Sequence, residues 1–322
     1  DATKIEPGNG KYAILCNDKG GVLNDPVLLR LTDDEFWFSI SDSDLLLWLQ
    51  GVNVTKKYDV IIDEIDVCPV QIQGPLSEDL MAKLAGEELR DVPYYGIMET
   101  QIGGADVVIS QTGFTGEKGY EIYVRDAHQN AEKVWNAVLE GGEEFGLMVI
   151  APAHHRRIAA GILSWGQDLD HETSPFQVNL AYQVPRNKSA DYIGKEALEK
   201  QRTMIDQGTP PFKMRMVGIT LGGKEITDYA PDFWLIADTD GNDMGYVTSP
   251  WWSPELGTNI ALAWVPWTSS EVGTKLLVRL PDEFSESPGV PVDGEIVDVP
   301  FRESVNPNKR EVQLAKGLDF AD

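Results

Sequence analysis

The sequence predicts an α+β fold that ends in a small C-terminal antiparallel barrel or sandwich, and two patterns carry this prediction. Between about residues 58 and 146, strand-like and helix-like runs follow in the order strand, helix, strand, strand, helix, which is typical of an α+β layer. Beyond residue 213, short alternating runs are separated by turn signals such as Asp240-Gly241, which favours a small antiparallel barrel or sandwich. A length of 322 residues suggests two or three domains.

The N-terminal half supplies the elements of the first layer. Residues 35–40 are aromatic and β-branched, as expected for a strand. A helix should begin near Leu76, because Ser77 can cap it and acidic residues follow. A second helix is predicted from apolar residues that recur at helical spacing and would lay one face on a sheet, namely Ala127, Ala131, Val134, Trp135, Val138 and Leu139.

The C-terminal half predicts a different architecture. A further helix should start near Pro152, and the polar stretch 201–211, which ends in Pro-Pro, is interpreted as a linker. Alternating runs then predict the strands of the barrel, at 214–221, 233–237, 260–265 and 275–280.

Composition excludes several classes of partner. The chain has 52 acidic and 27 basic residues, a net charge of −25, which argues against nucleic acid and anionic membranes. No apolar run is long enough to span a bilayer. Cys16 and Cys68 do not suggest a disulfide scaffold and are predicted to be buried thiols, and the four histidines form no metal motif, so no metal is expected. Because the chain opens at Asp1 without a methionine, we expect a trimmed N terminus.

The segment QTGFTGEKGYEIY at residues 111–123 is the strongest functional signal. Three glycines spaced three apart predict a turn in which backbone can approach a flat ligand. Residues 120–124 alternate as a strand, which sends Glu121 and Tyr123 to the same face. A carboxylate inside a domain needs a partner, and an amino-pyrimidine edge offers two parallel donors. The segment is therefore interpreted as a holder for a planar heterocycle; the alternative is a hairpin with an exposed glutamate.

Several further motifs, in the same order, resemble the folate-dependent aminomethyltransferase family of the glycine cleavage system. With the segment above they are GGVLND (20–25), IQGP (72–75), PYYG (93–96), WGQD (165–168), IGKEAL (193–198) and VTSP (247–250). Within the family, the likeness is closest to the tetrahydrofolate-dependent dimethylsulfoniopropionate demethylases. The stretches that carry this finer match are GGVLNDPVLLRL (20–31), APAHHRR (151–157) and TSPWWSPEL (248–256).

The resemblance implies a three-domain cloverleaf with folate in its central channel. We expect residues 1–52 to form the strand and helix portion of the folate-binding core and 53–146 an α+β domain. Residues 147–210 would continue the core, and 211–322 would form the C-terminal β-barrel.

The resemblance also implies tetrahydrofolate as the cofactor. Glu121 takes the family's place at the amino-pyrimidine edge of the pterin, where a carboxylate can accept two hydrogen bonds. Tyr95 matches a family aromatic beside the pteridine, and Phe114 stands where the aminomethyltransferases usually carry tyrosine; core filling is the alternative for both. Arg157 keeps the second of two family arginines and is a candidate for cofactor binding, whereas Ala153 replaces the first.

Asn24 is the most instructive departure from the family, since aminomethyltransferases carry an aspartate there. An amine leaving group needs proton or charge assistance, whereas a sulfonium loses its methyl group as a neutral thioether. Asparagine is neither an acid nor a base, so it fits the second chemistry and can still orient the folate N5 by hydrogen bonding. The alternatives are a purely structural replacement and Asp25 as the reactive side chain.

A sulfonium donor is best held by aromatic faces. The candidates are Tyr123, which we also place among the catalytic residues, Trp165 and Phe114, with Trp37 as a weaker one; any of these rings can instead be core. The expected reaction is direct methyl transfer from dimethylsulfoniopropionate to N5 of tetrahydrofolate, with catalysis mainly from alignment.

Three other functions compete with this reaction. They are an aminomethyltransferase or a demethylase of another methylated donor, a non-enzymatic folate-binding assembly protein, and a domain of a larger oxidase. The assembly proteins carry a cysteine near residues 192–196, which this chain lacks. The expected partners are two small molecules, with no nucleic acid and no membrane; a homodimer is compatible with the sequence, and the expected location is cytoplasmic.

Overall fold

The computed structural model describes residues 2–41, 43–228 and 232–301, so the predicted end of the barrel domain at residue 322 lies outside them. The strands are β1 (Asn9–Tyr12), β2 (Leu15–Cys16), β3 (Val22–Asn24), β4 (Val27–Arg30), β5 (Phe36–Ser39), β6 (Val67–Gln73), β7 (Ile97–Ile102), β8 (Ala105–Ser110), β9 (Gly119–Arg125), β10 (Met214–Leu221), β11 (Trp234–Ala237), β12 (Asp243–Ser253), β13 (Thr258–Pro266), β14 (Lys275–Val278) and β15 (Val292–Val297). The α-helices are α1 (Leu45–Lys56), α2 (Ser77–Ala85), α3 (Ala127–Gly142), α4 (His154–Ala159) and α5 (Lys195–Asp206). Short 3-10 helices cover Ala2–Lys4, Glu87–Asp91, Glu143–Phe145, Ala181–Gln183 and Trp267–Ser269.

The chain divides into two compact units. The first holds the residues up to Ala13 together with Asn24–Pro152, and the second holds Ile14–Leu23 and the described residues from Ala153 onward. The predicted division into four sequence segments stays a prediction.

The first unit contains two antiparallel sheets, ordered β1-β4-β5 and β6-β9-β8-β7. Because side chains alternate along a strand, β9 turns Tyr120, Ile122 and Val124 into an apolar core shared with α2 and α3. The opposite face carries Tyr123, which is buried with Trp37 of β5. The same face of β9 carries Glu121, because side chains two residues apart on a strand point the same way.

The second unit contains a closed barrel in the order β10-β13-β12-β11-β14-β15, with antiparallel neighbours throughout. Its inside is filled by apolar side chains that alternate along each strand, such as Ile219, Ile236 and Ala263. The predicted α+β fold class with a C-terminal antiparallel barrel is confirmed. The barrel has two strands that the sequence did not predict, β12 and β15.

Several local predictions were wrong. Ser77 is not a cap but the first residue of α2; it is buried, and its hydroxyl donates to the carbonyl of Lys118 at 3.2 Å. The helix α3 is confirmed, but Trp135 lies 39% exposed, since Val134 and Val138 already fill the groove beneath the helix. The predicted linker 201–211 begins too early, because α5 continues to Asp206.

The two cysteines also differ from each other. Cys16 is buried, and burial raises the pKa of its thiol to about 12. Cys68 is exposed on β6, so the prediction of two buried thiols was wrong for this residue.

In the first unit, the predicted strand order lacked one strand, because three strands separate α2 from α3. No α-helix within the described ranges has the length and apolar character to cross a membrane.

Candidate functional site

The register of the four-stranded sheet places Glu121 in a row of four side chains. From one edge to the other, the directly paired residues are Ile97, Ser110, Glu121 and Gln71. Glu121 is 7% exposed, and the phenol of Tyr123, two residues along β9, donates to its carboxylate at 3.2 Å. The prediction that these two side chains share a face is confirmed.

The buried carboxylate of Glu121 is held by further donors. The Nε2 atom of Gln71 donates to Oε1 at 2.9 Å, and the hydroxyl of Thr112 donates to Oε2. Such donors offset the cost of burying a charge. Gln71 and Thr112 were missed in the sequence, although the alternation of Gln71 and Gln73 along β6 indicated polar side chains on one face.

Tyr123 acts as a hydrogen-bond donor and not as a base. Burial raises the pKa of its phenol far above the ordinary range, and the Glu121 carboxylate raises it further. Its ring meets the ring of Trp37 edge to face, with centroids 6.4 Å apart. The guanidinium of Arg125 lies 4.7 Å from the centroid of Trp37, so one cation already occupies a face of that indole.

The glycine-rich loop is shaped by Gln73 of β6. A Cβ atom at Gly113 would lie 2.1 Å from Gln73 Oε1, and one at Gly119 would lie 2.4 Å from Gln73 Nε2. The same amide donates to the carbonyl of Thr112 at 3.1 Å and accepts from the hydroxyl of Thr115 at 2.7 Å. The close approach predicted from these glycines is therefore made to a side chain of the protein itself.

The two aromatic candidates beside the pteridine lie in the same unit as Glu121. Tyr95 is half-buried and has φ of +66°, a left-handed conformation that is rare for an aromatic residue and concentrates at functional sites. Its ring lies 4.4 Å from that of Tyr94. Phe114 is half-buried, and its N–H donates to Gln71 Oε1 at 3.4 Å, which places the loop beside a donor of Glu121.

Asn24 is fully buried at the end of β3, with its amide fixed by two hydrogen bonds. Its Nδ2 donates to Ser43 Oγ at 2.8 Å and to the Ser41 carbonyl at 3.2 Å. Its Oδ1 has no hydrogen-bond partner in the described part of the chain. Ser39, the last residue of β5, hydrogen-bonds the Tyr123 phenol. Ser39, Ser41 and Ser43 together therefore contact both predicted catalytic residues.

Asp25 follows Asn24 and is also held by neighbours. Tyr12 donates to its Oδ2 at 2.9 Å, and the Ser41 hydroxyl donates to Oδ1 at 3.5 Å. A half-buried carboxylate therefore lies next to the buried amide.

Arg157 lies in the second unit, 2% exposed, in an ion pair with Asp168. Its Nη1 donates to Asp168 Oδ2 at 2.6 Å and its Nη2 to Ser249 Oγ at 2.7 Å. The hydroxyls of Ser249 and Thr248 both donate to Asp168 Oδ1 at 2.6 Å. The WGQD and VTSP motifs thus meet around one buried charge, which Asp168 neutralises; a role of Arg157 in cofactor binding stays a prediction.

Trp165 is also in the second unit. Its Nε1 donates to the carbonyl of Val22 at 3.0 Å, and its ring is half-buried. A cavity in this unit is lined by residues that include Arg157, His154 and Trp251, and the last two rings lie 5.4 Å apart. No cluster of three potential metal ligands occurs among the residues that the structure describes.

Known proteins resemble this chain along most of its length. Residues 1–188 match the family model of the GCVT N-terminal domain, and residues 215–301 match that of the glycine cleavage T-protein C-terminal barrel domain. The dimethylsulfoniopropionate demethylase DmdA of Ruegeria pomeroyi is 34% identical over 271 residues, which are 84% of this chain and 71% of the relative. An aminomethyltransferase of Thermotoga maritima is 30% identical over 275 residues, 82% of this chain and 70% of the relative.

A solved structure shares the fold. The crystal structure of glycine cleavage system aminomethyltransferase T from Bartonella henselae matches with a TM-score of 0.73 at 23% identity. The match covers 94% of this chain and 78% of that one.

Proposed function

The chain belongs to the glycine cleavage T-protein family of folate-dependent transferases, and from this we propose that it demethylates dimethylsulfoniopropionate. The methyl group would pass from the sulfonium sulfur to N5 of tetrahydrofolate, giving methylmercaptopropionate and 5-methyltetrahydrofolate. The similarity to a demethylase at 34% identity supports this choice of donor. The proposed partners are two small molecules, and the proposed location is the cytoplasm.

The hydrogen bonding of the buried Asn24 amide is the observation that carries the proposal. Both hydrogens of this amide are donated to Ser41 and Ser43, and its oxygen meets no donor among the residues that the structure describes, so this oxygen is the atom that a ligand can meet. A buried acceptor without a donor costs the free protein stability, and a ligand N–H would remove that cost. The secondary amine N5–H of tetrahydrofolate is such a donor, so the residue fits the cofactor of the family.

In this reaction the protein has only to hold the cofactor and to align the reacting atoms. Tetrahydrofolate, when bound, supplies the N5 amine that accepts the methyl group. Glu121 would hold the amino-pyrimidine edge, with Tyr95 and Phe114 against the ring. Asn24 would fix the direction of the N5–H and thereby aim the nitrogen lone pair at the methyl carbon. No acid is required at the sulfur, because the departing thioether is neutral, and the excess proton on nitrogen can leave to water.

The sulfonium itself would be held by an aromatic face, for which Tyr123 of the first unit is the proposed residue. A role of Trp165, which lies in the second unit, stays a prediction. A protonated phenol is suited to this task, since it keeps the ring neutral while its hydroxyl binds Glu121. Aromatic–cation contacts contribute about 1–2 kcal/mol each when water is excluded.

A second candidate is an aminomethyltransferase, and Asp25 favours it. An amine leaving group needs a proton donor or a nearby charge, and this half-buried carboxylate lies beside Asn24. Relatives with this activity match over a similar share of the chain.

The donor distinguishes the two candidates. We expect the purified protein to form 5-methyltetrahydrofolate when given tetrahydrofolate and dimethylsulfoniopropionate, detected by chromatography and mass spectrometry. Glycine betaine and an aminomethylated lipoyl carrier serve as parallel donors. Turnover of either alternative donor, with none from the sulfonium, would replace the proposal by the corresponding activity.

Asn24→Ala should lower kcat for the sulfonium by about ten- to a hundredfold, because one hydrogen bond that aligns the reacting amine is lost. The binding of tetrahydrofolate should weaken less, since Glu121 still anchors the ring. Steady-state kinetics and calorimetry would measure the two effects. Asn53→Ala is the control, because this half-buried asparagine of α1 makes its amide hydrogen bonds to the backbone of Tyr58. Wild-type kcat in Asn24→Ala would make this residue a bystander.

A further inference from the structure

Ser110, at the end of β8, is a buried hydroxyl that the activity proposed above does not use. Its side chain is fully buried, and its Oγ has no hydrogen-bond partner among the residues that the structure describes. An unpaired buried hydroxyl costs about 1–3 kcal/mol, so such a group in a native protein calls for an explanation.

The sheet register places Ser110 directly beside Glu121. It is the paired neighbour of Glu121 on β8, as Gln71 is on β6, so the two residues flank the carboxylate. Directly paired side chains have Cβ atoms about 4.5–5.5 Å apart. Gln71 is already engaged, because it donates to Glu121 and accepts from the N–H of Phe114. Ser110 makes no such bond to any residue that the structure describes.

The edge of a pterin presents three groups in a row: the 2-amino group, the N3–H and the 4-oxo oxygen. The first two are donors, which the two oxygens of a carboxylate match. The third is an acceptor, so a complete site has a hydroxyl or amide donor next to the carboxylate. Ser110 is a buried residue of this kind, and no described residue uses the hydrogen-bonding capacity of its hydroxyl.

We propose that Ser110 is a specificity-determining residue whose hydroxyl donates to the 4-oxo oxygen of the pterin held by Glu121. This inference rests on the proposed function, since it assumes that Glu121 binds the amino-pyrimidine edge. Ser110 is fully buried and Glu121 is 7% exposed. Because the two residues are directly paired on neighbouring strands, a pterin edge held by Glu121 would lie beside Ser110. The hydroxyl then gains its missing acceptor on binding, and ligands without that acceptor do not satisfy it.

A pair of ligands tests the assignment. Calorimetric titration of the whole protein would compare tetrahydrofolate with its 4-deoxy analogue, which lacks the 4-oxo oxygen together with the N3–H. The affinity of each variant is therefore compared with that of the unaltered protein for the same ligand. In Ser110→Ala we expect about a tenfold loss of affinity for tetrahydrofolate and little change for the analogue. Ser77→Ala is the matched control, because this serine of α2 is also buried, at 4% exposed, but already bonded to Lys118. Its affinities for both ligands should remain those of the unaltered protein.

The outcomes separate this inference from the proposed function. Equal losses for both ligands in Ser110→Ala would indicate a change of shape, and no loss would indicate a bystander; either overturns the assignment. If Glu121→Ala abolishes binding while Ser110→Ala does not affect it, only the role of Ser110 fails. If the unaltered protein binds no tetrahydrofolate, the proposed function fails and this inference falls with it.

Discussion

Glu121→Gln should weaken the binding of tetrahydrofolate by about a hundredfold, because two charge-assisted hydrogen bonds become weaker or are lost. The substitution keeps the size of the side chain but replaces an acceptor oxygen by an amide that donates. Three residues donate to this side chain, namely Gln71, Thr112 and Tyr123. The new NH2 group would face at least one of these donors and cannot accept a hydrogen bond from it. We expect a loss of about 1–3 kcal/mol in the free energy of unfolding.

Calorimetry with tetrahydrofolate would measure the affinity, and urea unfolding would measure the stability. Glu99→Gln is the matched control, since this exposed glutamate of β7 pairs with Arg125 at the surface. It should bind tetrahydrofolate as the unaltered protein does. An unchanged affinity in Glu121→Gln would remove this residue from the pterin site.

Arg157→Met should lower the free energy of unfolding by about 3–5 kcal/mol, because it leaves the carboxylate of Asp168 buried without its cation. Both side chains are almost completely inaccessible, at 2% and 0%. A neutral partner should relieve part of the loss, so the double variant Arg157→Met/Asp168→Asn should be more stable than Arg157→Met alone. Urea unfolding followed by tryptophan fluorescence would measure both.

The exposed pair Arg186–Asp206 provides the control, since breaking it with Arg186→Met should cost less than about 1 kcal/mol. The same set of variants tests cofactor binding by Arg157. If the folded double variant binds tetrahydrofolate normally, the arginine is purely structural. A stability of Arg157→Met equal to that of the control variant would contradict the assigned burial of the charge.

Local patterns predicted those parts of the fold that depend on local interactions. Periodicity placed α3, and alternation placed Glu121 and Tyr123 on one face of β9, because both patterns depend only on neighbours along the chain. The partners of Glu121 depend on strand pairing instead. Gln71 is 50 positions away, so its role followed only from the register of β6 against β9.

Motif matching had a similar limit. The WGQD and VTSP motifs contributed to the family resemblance, but nothing in either motif says that Asp168 and Ser249 share one arginine. Arg157 was considered as a cation for the cofactor because sequence reveals charge but not burial. Its pairing with Ser249 joins residues 92 positions apart.

The packing around Gln73 bears on how this loop can change over time. Any side chain at position 113 or 119 would collide with the amide of this glutamine, within 2.1 Å and 2.4 Å respectively. The amide in turn anchors Thr112 and Thr115. Positions 73, 113 and 119 are thus free to vary only jointly. Divergent members of the lineage should either retain Gln73 and both glycines or have rebuilt the whole turn.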